Sequence, residues 1–258
     1  MEKTVSEPVY ILGTKLSLFD QTKLLKIIKK EISGQNQYLI TSGNVHAYNL
    51  AFQLSWLRDF FNQADVVRLD GFGVRLGAKI LGYDTPPRMT WADFGWELAE
   101  FAAANQFSLF FLGGKPGIAE MAAEKLKEKN PNLIIVGCHH GYFDKSHRAS
   151  ENVAVLDDIR TSSPDILLVG FGMPLQEKWI MENREKITAH VIFTVGAAFD
   201  YISGELNRPP NWMTDHGLEW LGRMLIEPTR LWKRYIIGNP LFLWRIIKQR
   251  MGILNLPE

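Results

Sequence analysis

Short apolar runs alternate with longer amphipathic segments along most of the chain. The apolar runs are rich in β-branched and aromatic residues, which is typical of strands buried on both faces of a sheet. They are Tyr38–Thr41, Val66–Leu69, Ser108–Leu112, Leu133–Val136, Ile166–Val169 and Val191–Val195. The segments between them have the length of helices and are Val45–Phe61, Val74–Leu81, Ala92–Asn105, Ile118–Lys129, Arg148–Arg160 and Leu175–Lys186. We expect each of these segments to pack one apolar face on the strands.

This repeated strand–helix order predicts an α/β fold with a Rossmann-like, mostly parallel sheet and helices on both faces. A further strand at Val9–Leu12 and a helix at Gln21–Ile32 are expected to join the sheet. The alternation stops after residue 200, and the last fifty residues are helical in pattern, aromatic and basic. We therefore predict an α/β domain over residues 1–203 and a helical C-terminal appendage over residues 204–258.

The amino-acid composition indicates a globular protein and favours a reducing cellular compartment. The 258 residues are 46% hydrophobic and 22% charged, as in ordinary globular proteins. Cys138 is the only cysteine, which excludes an internal disulfide and favours a reducing compartment. The sequence shows no secretory signal and no apolar run of the roughly 20 residues that a membrane span needs. We expect a cytoplasmic chain that does not cross a bilayer.

The charge is unevenly distributed. The net charge is +1, yet the segment Arg223–Arg250 carries seven basic residues and one acidic residue. Six aromatic residues accompany them: Trp212, Trp220, Trp232, Tyr235, Phe242 and Trp244. This combination is typical either of a basic helical subdomain packed on the core or of a segment that docks on a membrane. Because the aromatic and basic residues cluster, we predict peripheral attachment to the anionic inner face of the plasma membrane.

Five predicted strands end in loops that contain glycine. In an open parallel sheet ligands bind beyond the carboxyl ends of the strands, and glycine lets backbone N–H groups approach a phosphate. The loops are Ser42-Gly43-Asn44, Asp70-Gly71-Phe72-Gly73, Gly113-Gly114-Lys115-Pro116-Gly117, Gly170 to Glu177 and Gly196-Ala197-Ala198-Phe199-Asp200. A diphosphate site is plausible at this edge, although each loop taken singly also fits a simple turn.

Asp70 is the best candidate for a general base, because it follows a buried strand directly and precedes a glycine. The alternative role is a helix N-cap, and Asp200 occupies an equivalent position. His139 and His140 suggest a metal, but no third ligand lies at a suitable spacing. No Asp-x-Asp pair occurs, which favours chemistry without a metal ion, and we expect no cofactor.

Two rival classes fit the sequence less well. A nicotinamide or flavin enzyme would carry Gly-x-Gly-x-x-Gly after an early strand, and no such fingerprint or Walker loop is present. A non-catalytic protein whose basic tail binds nucleic acid or a partner is the second rival, and it is disfavoured because the aromatic residues stand beside aliphatic ones and not in a stacking pattern. A non-catalytic nucleotide-sugar or anion-binding protein with a basic tail stays open as an alternative.

Read together, the loops and the tail resemble the bacterial WecG/TagA/CpsF family of glycosyltransferases (family 26). The resemblance rests on the following motifs, in this order: Ser42-Gly43-Asn44, Leu69-Asp70-Gly71, Arg88, Phe111 to Pro116, Gly141-Tyr142-Phe143, Gly172 to Glu177, Gly196 to Asp200, Ser203-Gly204, Arg208-Pro209-Pro210, Gly217-Leu218-Glu219-Trp220, Arg223 and Glu227-Pro228-Thr229-Arg230. Nearly the whole chain is covered.

The resemblance implies an inverting transferase that moves a hexose or N-acetylhexosamine from a UDP-sugar to a sugar on polyprenyl diphosphate. It implies catalytic roles for Asp70, Asn44 and Arg88. The loops and the resemblance together predict these substrate-binding residues: Ser42, Gly113, Gly114, Gly172, Gln176, Glu177, Phe199, Asp200, Arg208, Arg223, Arg230 and Lys233. Ser42 and Lys233 stand where threonine and arginine are usual in the family. Homo-oligomerisation is left open by the sequence.

One further departure concerns the donor sugar. The family commonly has glycine three residues after the central arginine, and this chain has Trp91 there. We expect Trp91 to present a large flat surface in a sugar-handling loop. That expectation puts the usual N-acetylmannosamine specificity in doubt and makes a plain hexose such as glucose equally suitable.

Overall fold

The computed structural model describes residues 7–34, 36–87 and 89–256. Its strands are β1 (Val9–Ile11), β2 (Thr14–Leu16), β3 (Tyr38–Gly43), β4 (Val66–Leu69), β5 (Ser108–Gly113), β6 (Ile134–His139), β7 (Ile166–Gly170) and β8 (Val191–Thr194). Its first nine α-helices are α1 (Gln21–Ile32), α2 (Val45–Gln53), α3 (Ser55–Gln63), α4 (Phe72–Ile80), α5 (Trp91–Asn105), α6 (Ile118–Lys129), α7 (Ser150–Ser162), α8 (Leu175–Asn183) and α9 (Ala198–Ser203). The C-terminal helices are α10 (Asn211–Asp215), α11 (Glu219–Ile226), α12 (Pro228–Trp232) and α13 (Gly238–Arg250), with a π-helical turn at Lys233–Ile237 between the last two.

The main sheet has six strands in the order β4-β3-β8-β7-β5-β6. The pairings of β3 with β8, β8 with β7, β7 with β5 and β5 with β6 are all parallel. Every residue of β7 and β8 is buried, which explains why their sequences are continuous apolar runs. In the edge strand β6, by contrast, no residue is fully buried, and Ile134 and Val136 are exposed. The predicted Rossmann-like α/β class with a helical C-terminal region is confirmed.

Two local predictions are wrong. The N-terminal strand does not join the main sheet but pairs antiparallel with β2, because Leu12 and Gly13 both adopt positive φ and form a tight hairpin turn. The single helix predicted over Val45–Phe61 is divided at Leu54, which has extended φ and ψ. The buried residues of α2 and of α3 do not lie on one continuous helical stripe, so the break lets each half bury its own apolar face.

The chain divides into two compact units. Unit 1 consists of residues 1–20, 42–90 and 207–258, and unit 2 of residues 21–41 and 91–206. Unit 1 therefore joins the N-terminal hairpin, the segment from the end of β3 to Thr90, and the C-terminal helices.

The core of unit 1 forms around helix α13. Phe242 and Ile246 are fully buried in one cluster with Ile11, Leu16 and Tyr48. Two hydrogen-bonded connections reinforce this packing.

In the first connection, Gln249 Oε1 accepts a bond from the Leu12 N–H at 2.8 Å and Gln249 Nε2 donates to the Tyr10 carbonyl at 3.1 Å. In the second, Arg245 Nη1 donates to Asn49 Oδ1 at 2.8 Å, and Asn49 Nδ2 donates to the Gly238 carbonyl at 2.7 Å.

Among the described residues, none of the helices has the length and apolar composition of a bilayer span.

Candidate active site

Asp70 lies directly beyond the carboxyl end of β4, on the wall of a cavity of about 300 Å³. Its backbone N–H donates to the Gly43 carbonyl at 3.1 Å, which ties it to the end of β3. The N-cap of α4 is Gly71, and no side chain caps this helix. The alternative role of Asp70 as a helix cap is therefore excluded, and its partly exposed carboxylate is available to a ligand.

Asn44 lies beside Asp70 on the same cavity wall and does cap a helix. Its Oδ1 accepts a bond from the Ala47 N–H at 3.1 Å at the start of α2. The cap fixes the side chain and leaves the amide NH₂ as its remaining donor. Asn44 can therefore hold its helix and offer a hydrogen bond to a ligand at the same time.

All described residues that line this cavity belong to unit 1. The polar ones are Asn44, His46, Asp70, Thr90, Glu219, Arg223, Arg234 and Asn239. The apolar ones include Val45, Phe72, Leu76, Trp220, Phe242 and Leu243. The cavity thus combines two carboxylates (Asp70 near the strand ends and Glu219 on α11), two guanidinium groups and a largely apolar wall. This lining suits a ligand that has both a polar, charged part and an apolar part.

Charges interact strongly inside this cavity. Burial lowers the pKa of Arg234, the neighbouring Arg223 and Arg230 lower it further, and Asp70 raises it. Burial also lowers the pKa of His46 to about 4, with the positive charge of Arg234 as the second cause. His46 is therefore neutral at pH 7, and the cavity keeps its positive charge on arginine.

A buried arginine supports the floor of the site. Arg68 on β4 is 1% exposed, and its Nη2 donates to Ser42 Oγ at 3.1 Å. Burial lowers the pKa of Arg68 to about 10, and the nearby Asp70 opposes this effect. Ser42, a predicted substrate-binding residue, is itself buried and is not among the residues that line the cavity. In the structure its hydroxyl accepts the bond from Arg68.

The predicted glycines of unit 2 fall into two groups. Gly113 ends β5 where β5 pairs with Gly170 of β7, and a Cβ on Gly113 would lie 2.4 Å from the Gly170 carbonyl oxygen. The backbone N–H of Gly114 donates to the Gly170 carbonyl at 3.2 Å. Gly172 has a φ of +79°, and a Cβ there would meet nothing within 4 Å. Gly113 is thus required by strand packing, whereas Gly172 faces open space.

Gln176 and Glu177 form a buried polar connection within unit 2. Gln176 Oε1 accepts from the Gly196 N–H at 3.1 Å, and its Nε2 donates to Glu177 Oε1 at 2.7 Å. Glu177 is fully buried, and burial raises its pKa to about 7. These two residues link the loops that follow β7 and β8, and Gln176 does not cap α8, whose N-cap is Pro174.

The raised pKa of Glu177 predicts a pH-dependent stability. The folded state keeps a proton on Glu177 up to about pH 7, while an ordinary glutamate loses it near 4.5. The stability due to this group is present below pH 4.5 and is lost as the pH rises to 7. Relative to Glu177→Gln, the wild type should lose roughly 2–3 kcal/mol of unfolding free energy between pH 5 and pH 8. Urea unfolding at both pH values measures this change.

The control for that experiment is Glu182→Gln. Glu182 lies on the same helix, is solvent-exposed and forms a surface ion pair with Lys178 at 3.8 Å. We expect this variant to keep the wild-type difference between pH 5 and pH 8, because surface pairs contribute little. Equal pH dependence in Glu177→Gln and the wild type would contradict the role assigned to burial.

The aromatic residues of this region belong to the core. Phe199 is fully buried and stacks on Phe111 with ring centroids 5.0 Å apart. Trp91 begins α5, is buried, and donates from Nε1 to the Thr194 carbonyl at 3.1 Å. The expectation that Trp91 presents a flat surface in a sugar-handling loop is wrong, because its ring packs edge-on against Phe94 and Phe193.

The other predicted residues are dispersed. Asp200 lies within α9, and its carbonyl accepts from the Leu206 N–H at 2.9 Å. Arg208 is partly buried in the loop before α10. Arg88 lies outside the described residues. No group of three histidine, cysteine, aspartate or glutamate side chains that could hold a metal occurs in the described part of the chain, and His139 instead bonds the His140 carbonyl through Nδ1 at 2.8 Å.

Of the predicted C-terminal cations, only Arg223 reaches the cavity. Arg230 is exposed and paired with Glu227, and Lys233 is exposed with Nζ 5.6 Å from the centre of the Trp232 ring. Arg234, which motif reasoning missed, lines the cavity in place of Lys233. The only sequence signal for it is its position in the same basic run.

The fold and the cavity define an α/β protein whose strand-end carboxylate faces two arginines. The chain belongs to the WecG/TagA/CpsF glycosyl transferase family, whose family model matches residues 9–255. Similar proteins include the N-acetylglucosaminyldiphosphoundecaprenol N-acetyl-beta-D-mannosaminyltransferases of Staphylococcus aureus strains NCTC 8325 / PS 47 and COL. Each is 30% identical, over 98% of this chain and 97% of its own length. The corresponding protein of strain MW2 is 29% identical over the same shares.

Proposed function

We propose that this glycosyltransferase moves a hexose or N-acetylhexosamine from a UDP-sugar to a sugar on polyprenyl diphosphate, with inversion, in the synthesis of cell-surface polysaccharide or teichoic acid. The observation that carries the proposal is the Asp70 carboxylate on the wall of a cavity that also holds Arg223 and Arg234. The names of the relatives support an acceptor sugar on undecaprenyl diphosphate and an N-acetylmannosamine donor. With Trp91 in the core, the argument for a plain hexose loses its basis, so N-acetylmannosamine is the first donor to test.

Inversion requires one in-line displacement at the anomeric carbon. The acceptor hydroxyl oxygen attacks this carbon, Asp70 takes the hydroxyl proton, and the bond to the UDP oxygen breaks with its electron pair leaving on UDP. A positioned base contributes about 10²–10⁴-fold to such a step. Asn44, whose helix cap fixes its side chain, is suited to donate to a sugar oxygen beside Asp70.

The cavity also carries positive groups that can balance the negative charge of a diphosphate. Guanidinium groups bind phosphate oxygens through paired, charge-assisted hydrogen bonds, and they stay protonated at neutral pH. Arg223 and Arg234 supply these donors next to Asp70. The apolar wall formed by Phe72, Leu76 and Leu243 suits the first isoprenoid units that follow the acceptor diphosphate.

The C-terminal helices supply a surface for membrane docking. Leu225, Trp232 and Ile236 are 70%, 45% and 54% exposed within a basic segment. Exposed apolar side chains beside arginine and lysine favour an anionic interface, where each basic residue contributes roughly 1 kcal/mol. We place the enzyme peripherally on the inner face of the plasma membrane, where its lipid-linked acceptor resides.

A double substitution tests this docking. Trp232→Ser with Ile236→Ser should weaken binding to vesicles rich in anionic phosphatidylglycerol by about tenfold or more, because it removes apolar surface from the interface. Co-flotation with the vesicles measures the bound fraction. The matched control is Met121→Ser with Val153→Ser, since these two residues are similarly exposed on α6 and α7 of unit 2. Equal binding by both double variants would refute the docking surface.

The reaction itself is tested by UDP release from purified protein. Each UDP-hexose and UDP-N-acetylhexosamine is supplied with and without a polyprenyl-diphosphate-linked sugar, in buffer with and without a chelator. Release that needs both substrates and survives the chelator supports the proposal, and the anomeric configuration of the product tests inversion. UDP binding without release for any pair would instead favour a non-catalytic nucleotide-sugar-binding protein.

A further inference from the structure

The connection between α12 and α13 is a π-helical turn, in which the backbone hydrogen bond joins residues five positions apart and not four as in an α-helix. The Gly238 N–H donates to the Lys233 carbonyl five residues earlier, which is the bond that defines this turn. The Gly238 carbonyl is held in turn by Asn49 Nδ2 at 2.7 Å, and Arg245 holds Asn49 at 2.8 Å. A chain of two buried polar side chains, Arg245 and Asn49, therefore holds the residue that follows the turn.

The first three residues of the turn have different surroundings. Lys233, at its first position, is exposed and lies beside the Trp232 ring. Arg234, at its second position, lines the cavity together with Arg223 and Asp70. Tyr235, at its third position, is buried and packs against Trp220 with ring centroids 5.9 Å apart. Two adjacent cations thus have opposite surroundings.

Arg234 is also incompletely bonded. Its Nε is buried and makes no hydrogen bond to any of the described residues. A buried, charged donor without an acceptor is unfavourable, and an anion bound in the cavity would supply the missing acceptor. The carboxylate of Asp70 is close enough to influence Arg234 electrostatically, so an anion bound by Arg234 would lie beside the proposed base.

We propose that Arg234, and not Lys233, is the cation that binds a substrate diphosphate beside Asp70, and that the π-helical turn places it there. The inference rests on the proposed function, since it assigns one binding residue within that site. Arg223 supplies the second guanidinium on the same cavity. The diphosphate belongs either to the UDP donor or to the lipid acceptor, and the two sources are separated by experiment.

The test compares Arg234→Met with Lys233→Met, with Arg234→Lys as a conservative variant. Calorimetry measures the dissociation constants of UDP and of farnesyl diphosphate, a short soluble prenyl diphosphate. We expect Arg234→Met to weaken one of these by about 10- to 100-fold, Arg234→Lys to restore part of the affinity, and Lys233→Met to stay within about threefold. Loss for UDP assigns Arg234 to the donor, and loss for farnesyl diphosphate assigns it to the acceptor.

Further outcomes decide against the inference. Unchanged affinities in Arg234→Met, or a larger loss in Lys233→Met, would overturn it. If Arg234→Met fails to fold by circular dichroism, Arg234→Lys provides the comparison, and its affinities should still fall below those of Lys233→Met. The binding measurements need no turnover. A protein that binds diphosphate through Arg234 but transfers no sugar would therefore contradict the proposed reaction and leave this assignment standing.

Discussion

Replacing Asp70 by asparagine should slow sugar transfer by about 10²–10⁴-fold, which is the usual contribution of a positioned general base. The amide has nearly the same shape but cannot accept the hydroxyl proton in the transition state. Asp70 caps no helix, so the substitution removes no helix-capping bond. Single-turnover rates, with the dissociation constant of UDP measured alongside, separate chemistry from binding.

Two variants sharpen this experiment. Asp65 directly precedes the first residue of β4, whereas Asp70 directly follows the last. Asp65→Asn should leave the rate unchanged, since Asp65 does not line the cavity. His46→Gln tests the competing base, because His46 lines the cavity and is neutral at pH 7. A full rate in Asp70→Asn combined with a large loss in His46→Gln would transfer the role of base to the histidine.

The second large effect concerns Gly113. Alanine at this position would place its Cβ 2.4 Å from the Gly170 carbonyl oxygen, a backbone atom at the end of a paired interior strand that cannot move easily. Overpacking of this kind typically costs about 1–3 kcal/mol, and the rigid neighbour places Gly113→Ala at or above the upper end of that range. Urea unfolding measures the loss, and poor recovery of folded protein would be consistent with it.

Gly172→Ala is the matched comparison. Its Cβ would meet no described atom within 4 Å, so only the positive φ opposes the substitution, at about 1 kcal/mol. If Gly172 lies against a bound substrate, this variant should raise KM with little change in stability. Equal destabilisation by the two substitutions would contradict the distinction between a packing glycine and one that faces open space.

The elements that sequence reasoning predicted well are those determined locally. The strands β5, β7 and β8 are continuous apolar runs because they are buried on both faces, and such runs are visible without any knowledge of the partners. The position of Asp70 follows from the same logic, since it comes directly after a buried strand and before a glycine.

The features that escaped prediction depend on partners distant in the chain. Trp91 is a core residue because Thr194, 103 positions away, accepts its Nε1–H bond. Arg234 lines the cavity from a π-helical turn that is followed by Gly238, whose carbonyl Asn49 binds, and no hydrophobic period reveals such a turn. The N-terminal strand pairs with β2 because of a two-residue turn that motif comparison does not address.

The composition of unit 1 has a consequence for synthesis on the ribosome. The hairpin and helix α13 are joined by a hydrogen bond that spans 237 positions, between Leu12 and Gln249. While the chain is being made, Ile11 and Leu16 must wait for Phe242 and Ile246 before their cluster is complete. All residues of unit 2 have been synthesised once the ribosome has added Leu206, before the C-terminal helices of unit 1 exist. We therefore expect the cavity to form last, after the C-terminal helices that carry Arg234 and Phe242 have been synthesised.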